Sequence, residues 1–164
     1  MKKFNSNSKK TRFLETFPAN SIHSSDIETR FKFNFSYFDD SQEHCTSFAD
    51  LAPGELALIV NKIKDFTRQD LIYWRNRRCG GGGLKILADY GSFPIKSNFK
   101  HPKYVPHDVN WCRFRLDNMA RLIGFTIPGK IPDKEGIGAT AYDRNTFYLV
   151  FIDLNHNFYI TEER

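Results

Sequence analysis

Three apolar, β-rich runs crowd the last third of the chain, WCRFRLD at 111–117, ARLIGFTIP at 120–128 and TFYLVFID at 146–153. The first alternates, as a half-buried strand does, and the third is apolar on both faces, as a central strand must be. The gap between the first two fixes a hairpin. If Asp117-Asn118-Met119 is a three-residue turn, Leu116 faces Ala120, Arg115 faces Arg121, Phe114 faces Leu122 and Arg113 faces Ile123. Phe114, Leu116, Ala120 and Leu122 then share the core face, while Arg113, Arg115 and Arg121 gather on the other. A two-residue turn would put Arg121 among the apolar side chains, so the three-residue register is favoured. Like charges opposite one another on a sheet repel, and a guanidinium cluster of this kind calls for an anion.

Upstream, FKFNFSYF at 31–38 places Phe31, Phe33, Phe35 and Tyr37 on one side of a strand that ends in the polar turn Asp39 to Gln42. Pro53 suits a first helical position, and Leu56, Ile59, Val60 and Ile63 recur at helical spacing over about 53–66. Thr67 to Asp70 has the form of a capping box, so a second helix begins there, anchored by Leu71, Ile72 and Trp74 and ending in Arg75, Arg77 and Arg78. Gly80 to Gly83 stop that helix. CGGGGLK lacks the spacing and the hydroxyl of a phosphate loop and reads as a flexible link. LKIL suggests a short strand. The following stretch to His107, with three prolines and several cations, reads as a long basic loop, and 129–146 as a glycine-rich excursion before the last strand. Asn155 to Asn157 turn into a final short FYI strand. The expectation is an α+β domain over 30–164, an antiparallel sheet of four to five strands with two helices on one face, preceded by a loosely ordered basic arm over 1–29.

Charge narrows the class of partner. Residues 51–130 hold fourteen Lys and Arg against six acids, whereas the segments on either side nearly cancel or turn acidic. A basic excess confined to the middle of the chain points to a polyanion. No run of 18 apolar residues and no charged-then-apolar leader occurs, so a soluble cytoplasmic protein without membrane contact is expected. Cys45, Cys79 and Cys112 lie too far apart for a CxxC site, the five histidines are dispersed, and no GxSxG elbow is present. Neither a metal nor a small-molecule cofactor is expected.

Asp153, Asn155, His156 and Tyr159 fall where the last long strand meets solvent. A basic face beside one titratable histidine and a tyrosine fits cleavage of RNA. The ribose 2′-OH attacks the adjacent phosphate, a base takes its proton, an acid protonates the leaving oxygen, and arginines stabilise the phosphorane.

The run CRFRLDNMARLIGFTI followed by FYLVFIDLNHNFY resembles the core of the RelE/ParE toxin superfamily, including its HigB-like and YoeB-like branches. In that family a strand ends in an Arg-containing segment, a tight turn leads to an Arg-opened apolar strand, and a hydrophobic strand ends in a basic or His position followed by Tyr. Two helices follow the first strand, as here. The resemblance implies a RelE-like fold and a type II toxin acting as a metal-independent endoribonuclease, an mRNA interferase working on ribosome-bound mRNA and held inactive by a cognate antitoxin. It implies Arg115, Arg121, His156 and Tyr159 as catalytic residues, with Arg113, Lys96, Lys100, Lys103, Arg75, Arg77 and Arg78 contacting RNA. The ParE branch inhibits gyrase instead, so a non-catalytic nucleic-acid-binding module, protein inhibitor or adaptor is the alternative. The chain exceeds a typical member by its arm and by the 84–110 and 129–146 segments.

Overall fold

The first long strand stops sooner than its phenylalanines suggest. In the computed structural model, which describes residues 8–16, 21–81, 83–116, 120–136 and 139–160, strand β1 covers Lys32–Asn34. The Asn34 side chain accepts the Ser36 N–H at 2.8 Å and turns the chain. Phe31 and Phe33 therefore join the core on one side of the sheet, Tyr37 joins the core on the other, and Phe35 is left exposed. Within the arm, Ser8–Glu15 form helix α1 with no buried residue, so part of the segment expected to be loose is helical.

Helix α2 spans Pro53–Phe66, with proline at its start and Glu55 accepting the Ala52 N–H at 3.0 Å. Its buried seam is narrow. Ile59 and Phe66 are buried and Ile63 packs beside them, but Leu56 and Val60 face outward, Val60 by 54%. Thr67 closes α2 through its N–H on the Ile63 carbonyl, and Asp70 caps α3, Leu71–Asn76, by accepting the Tyr73 N–H at 2.6 Å. The cap of the second helix is thus Asp70, three residues later than the expected Thr67, because the Thr67 N–H is already spent on ending α2.

The glycine run is a hairpin rather than a loose link. β2, Arg78–Cys79, pairs antiparallel with β3, Leu84–Lys85, and Gly80 and Gly83 supply positive φ at 66° and 72°. β4 (Leu87–Gly91), β5 (Asn110–Arg115), β6 (Arg121–Thr126) and β7 (Thr146–Asp153) complete the fold.

The main sheet has the order β1-β7-β6-β5-β4. Its last four strands are antiparallel neighbours, but β1 lies parallel to β7, with Lys32 beside Thr146 and Phe33 beside Phe147. The sheet is mixed, not wholly antiparallel as expected. A strand joined to the rest through two helices can return in the same direction as the strand it pairs with, as hairpin-linked strands cannot. The final FYI does not enter the sheet. It runs beside the 96–98 loop, where Ile160 N–H donates to the Lys96 carbonyl at 3.1 Å. The excursion before β7 is tied across its base by Arg144, which reaches Asp133 and the Ile131 carbonyl.

Both faces of the sheet are covered. On one, Ile59, Phe66 and Leu71 of the helices pack on Cys112, Phe114, Leu122, Phe147 and Ile152. On the other, Phe99, Val105 and Phe158 from loops cover Trp111, Ile123, Phe125 and Phe151. The long proline-containing segment expected to be a basic loop is thus also a wall of the second core. Among the described residues no helix is long and apolar enough to cross a membrane.

Candidate nucleic-acid interface

The arginine hairpin takes the register expected from its sequence. Arg115 lies opposite Arg121, Phe114 opposite Leu122 and Arg113 opposite Ile123, and the Leu116 N–H donates to the Ala120 carbonyl at 3.1 Å. The turn at Asp117 to Met119 lies outside the described residues. The three arginines share the face of the second core, at the end of the sheet away from Asn110 and Thr126.

They are not equivalent. Arg121 is only 2% exposed, and its Nη1 donates to the Ala120 carbonyl at 2.8 Å. It stands between Arg115 on β5 and the buried Asp153 on β7, so a carboxylate on the same face offsets the like charge across the hairpin. In this position Arg121 cannot hold a phosphate directly, and its expected role as a phosphate-contacting group becomes one of positioning. Arg113 and Arg115 are half-buried, with Nη1 of the former and Nε of the latter shielded from water and without a hydrogen-bond partner. Such nitrogens are costly to leave unpaired, and because these two atoms are shielded from water it is the exposed part of each half-buried side chain that can meet an anion.

Asp153 builds the adjoining turn. Its Oδ1 accepts the N–H groups of Asn155 and Asn157, at 3.2 and 3.0 Å, and its Oδ2 accepts that of Phe158 at 2.9 Å. This nest holds His156 half-buried at a positive φ of 63°, and Phe158 plugs the turn into the second core. Tyr159 emerges exposed and stacks on Tyr90 of β4, with ring centroids 5.2 Å apart. The Tyr90 hydroxyl hydrogen-bonds Arg113. Burial raises the Tyr90 pKa above the ordinary phenol value, and the Arg113 charge opposes that rise only in part.

Tyr90 therefore joins the arginine face to the turn of His156 and Tyr159, and the sequence reading missed it. Its signal was the alternation of LADYG, which puts Ala88 and Tyr90 on the same face as Arg113 once β4 is placed at the edge.

The outlying cations divide. Lys96 lines a groove with Tyr90 and Tyr159, while Lys100 and Lys103 are exposed farther along the same loop and do not line it. Gln42 clamps the Lys100 backbone, accepting its N–H and donating to its carbonyl. Arg75, Arg77 and Arg78 lie apart from the hairpin arginines. Arg75 pairs with Asp89 at 3.0 Å and donates to Thr126 Oγ1 on the helix side, Arg77 sits over the Tyr73 ring, and Arg78 donates to the Gly83 carbonyl. Arg75 also borders a cleft of about 950 Å³ between the start of α3 and the Asn110–Thr126 end of the sheet. Among the described residues no group of three or more His, Cys, Asp or Glu side chains could hold a metal ion.

No protein-family model, curated protein or solved structure matches this chain.

Proposed function

We propose that the Arg113–Arg115 face binds RNA and cleaves it, and that the protein is a RelE-like mRNA interferase of a toxin-antitoxin pair. The observation that carries this reading is the pair of half-buried arginines on one face of the sheet that also carries the Asp153-held turn of His156 and Tyr159. The order of strand, two helices and antiparallel hairpin supports it, because that is the order the resemblance implies.

In this scheme Arg113 and Arg115 grip the scissile phosphate and stabilise the phosphorane as the 2′-OH attacks. His156 moves a proton to or from the reacting oxygens, so that the 5′-oxygen leaves protonated and a 2′,3′-cyclic phosphate remains. Tyr159 orients the nucleotide, and Arg121 and Asp153 hold the frame. The cognate antitoxin is the proposed protein partner, and the cytoplasm the place of action.

The test is cleavage of RNA by the full chain, alone and with ribosomes. Arg115→Ala and His156→Gln should each slow cleavage by roughly a hundredfold or more, and Arg115→Lys should not restore it, since an ammonium lacks the bidentate fork. Cleavage at the parent rate by both Arg115→Ala and His156→Gln would remove the site from consideration.

A second reading has one observation behind it. Leu56, Leu58 and Val60 leave α2 with an exposed apolar surface suited to a protein partner. A protein inhibitor or adaptor acting through α2 would leave RNA lengths unchanged in cells producing it.

A further inference from the structure

We propose that the groove beside the arginine face is a nucleobase subsite, built by the edge strand β4 and the 92–98 loop, that takes the base next to the scissile phosphate. This rests on the RNA-binding reading above and adds to it the part of the nucleotide recognised and the residues that recognise it.

The groove encloses about 470 Å³ between Tyr90, Phe93, Ile95, Lys96, Tyr159 and Ile160. Its lining is unusual for a surface. Ile95 is fully exposed, and Tyr159 and Ile160 are exposed as well, so three large hydrophobic side chains border one opening that Lys96 and Asp89 also line. Isolated exposed apolar residues need no explanation, but a contiguous set around a concavity marks a place where something apolar is covered. One face of the Tyr159 ring lies on Tyr90, and the side chain is exposed and lines the groove, where a base can stack on it. Aromatic faces take bases of any sequence, and Lys96 sets a cation at the rim for the flanking phosphate.

The groove is also rigid. Asn98 donates from its backbone to the Asn157 carbonyl at 3.0 Å and from its side chain to Asn157 Oδ1 at 3.0 Å, while Ile160 donates to the Lys96 carbonyl at 3.1 Å. The loop carrying Ile95 and the turn carrying Tyr159 are therefore held as one wall. On the other side β4 is irregular between Asp89 and Gly91: Asp89 pairs with Cys112 and Gly91, at φ 78°, with Trp111, so Tyr90 is the extra residue of the strand. Tyr90 ties the two ligand elements together, its hydroxyl on Arg113 where a phosphate would sit and its ring under Tyr159 where a base would sit. A preformed stack linked to Arg113 through Tyr90 holds a base of any identity without a conformational change.

The experiment uses the full chain and 2′-O-methyl octaribonucleotides, which cannot be cleaved by 2′-OH attack, in a series with one abasic residue placed at each position in turn. Binding is read by fluorescence anisotropy. A grip on phosphates alone is indifferent to a missing base, whereas the subsite predicts one position at which the abasic oligonucleotide binds roughly tenfold more weakly. Ile95→Ala and Tyr159→Ala should each shrink that difference to below about threefold, while Arg115→Ala should weaken intact and abasic oligonucleotides alike. Equal binding of all abasic positions by the parent, or full retention of the difference in both Ile95→Ala and Tyr159→Ala, overturns the subsite. If the parent cleaves ordinary RNA while showing no abasic effect, the subsite alone falls. If it neither binds nor cleaves any oligonucleotide, the RNA reading falls with it.

Discussion

Single side chains set the tolerances of this fold. A Cβ added at Gly124 would overlap the Tyr148 carbonyl oxygen and come within 2.8 Å of the Phe147 ring, where β6 shifts register against β7. Backbone cannot yield there, so Gly124→Ala should cost about 3 kcal/mol, read as a lowered urea midpoint with unchanged slope. Gly54, in the first turn of α2, has open space, and Gly54→Ala should be neutral or stabilise by about 0.5 kcal/mol. Asp153 is the second sensitive point. Its carboxylate satisfies three backbone N–H groups, so Asp153→Asn should cost about 2 kcal/mol and release His156 from its positive φ. Hydrogen exchange at Asn157 and Phe158 would report the loosened turn, and unchanged protection there would show that the charge is not what holds it. The shared face of Arg113, Arg115 and Arg121 is legible in the sequence because strand alternation has a period of two. The burial of Arg121 is not legible, because alternation tells which side a residue faces and nothing of what covers that side.

Among the elements, the segment between β4 and β5 departs most from its sequence reading. Its prolines and lysines suggest an open loop, but Phe99 and Val105 anchor it over the second core and His101 stacks on His107 with ring centroids 4.4 Å apart. Two histidines six positions apart have no helical or strand periodicity to reveal them, and only the packing of Phe93 and Trp111 against His101 brings them together. Burial first, and the neighbouring His107 second, hold the His101 pKa below its ordinary 6.5, and its Nε2 is buried without a partner. The neutral form is therefore the folded form. Its stabilising contribution is complete above about pH 6.5 and is lost as the pH falls through the lowered value. His107→Gln removes one of the two causes, so the His101 Cε1 proton should titrate at a higher pH in that variant than in the parent. A parent midpoint at or above 6.5, unchanged by the substitution, would mean the stacked pair does not form. The hairpin of β5 and β6, by contrast, follows from local sequence alone, since both strands and their turn lie within 17 residues.

At the scale of the molecule, the surplus of cations in residues 51–130 does not form one surface. Arg75 is spent on Asp89, Arg77 and Arg78 serve the end of α3 and the glycine hairpin, and Lys96 lines the groove that Tyr90 links to Arg113. A count along the chain cannot separate these groups, because β4 and β5 bring Tyr90 to Arg113 while Arg75 on α3 pairs with Asp89 and Thr126 on the helix side. The division has a measurable consequence in the salt dependence of RNA binding. Each phosphate neutralised on a single strand contributes about 0.7 to the slope of log affinity against log salt. If Arg113 and Arg115 both contact phosphates, the Arg113→Gln, Arg115→Gln double variant should lower the magnitude of that slope by about 1.4. The Arg77→Gln, Arg78→Gln double variant removes the same formal charge from a different face, so its slope should match that of the parent. Equal slope changes in both double variants would mean that RNA responds to the net charge of the protein and not to one face of one sheet.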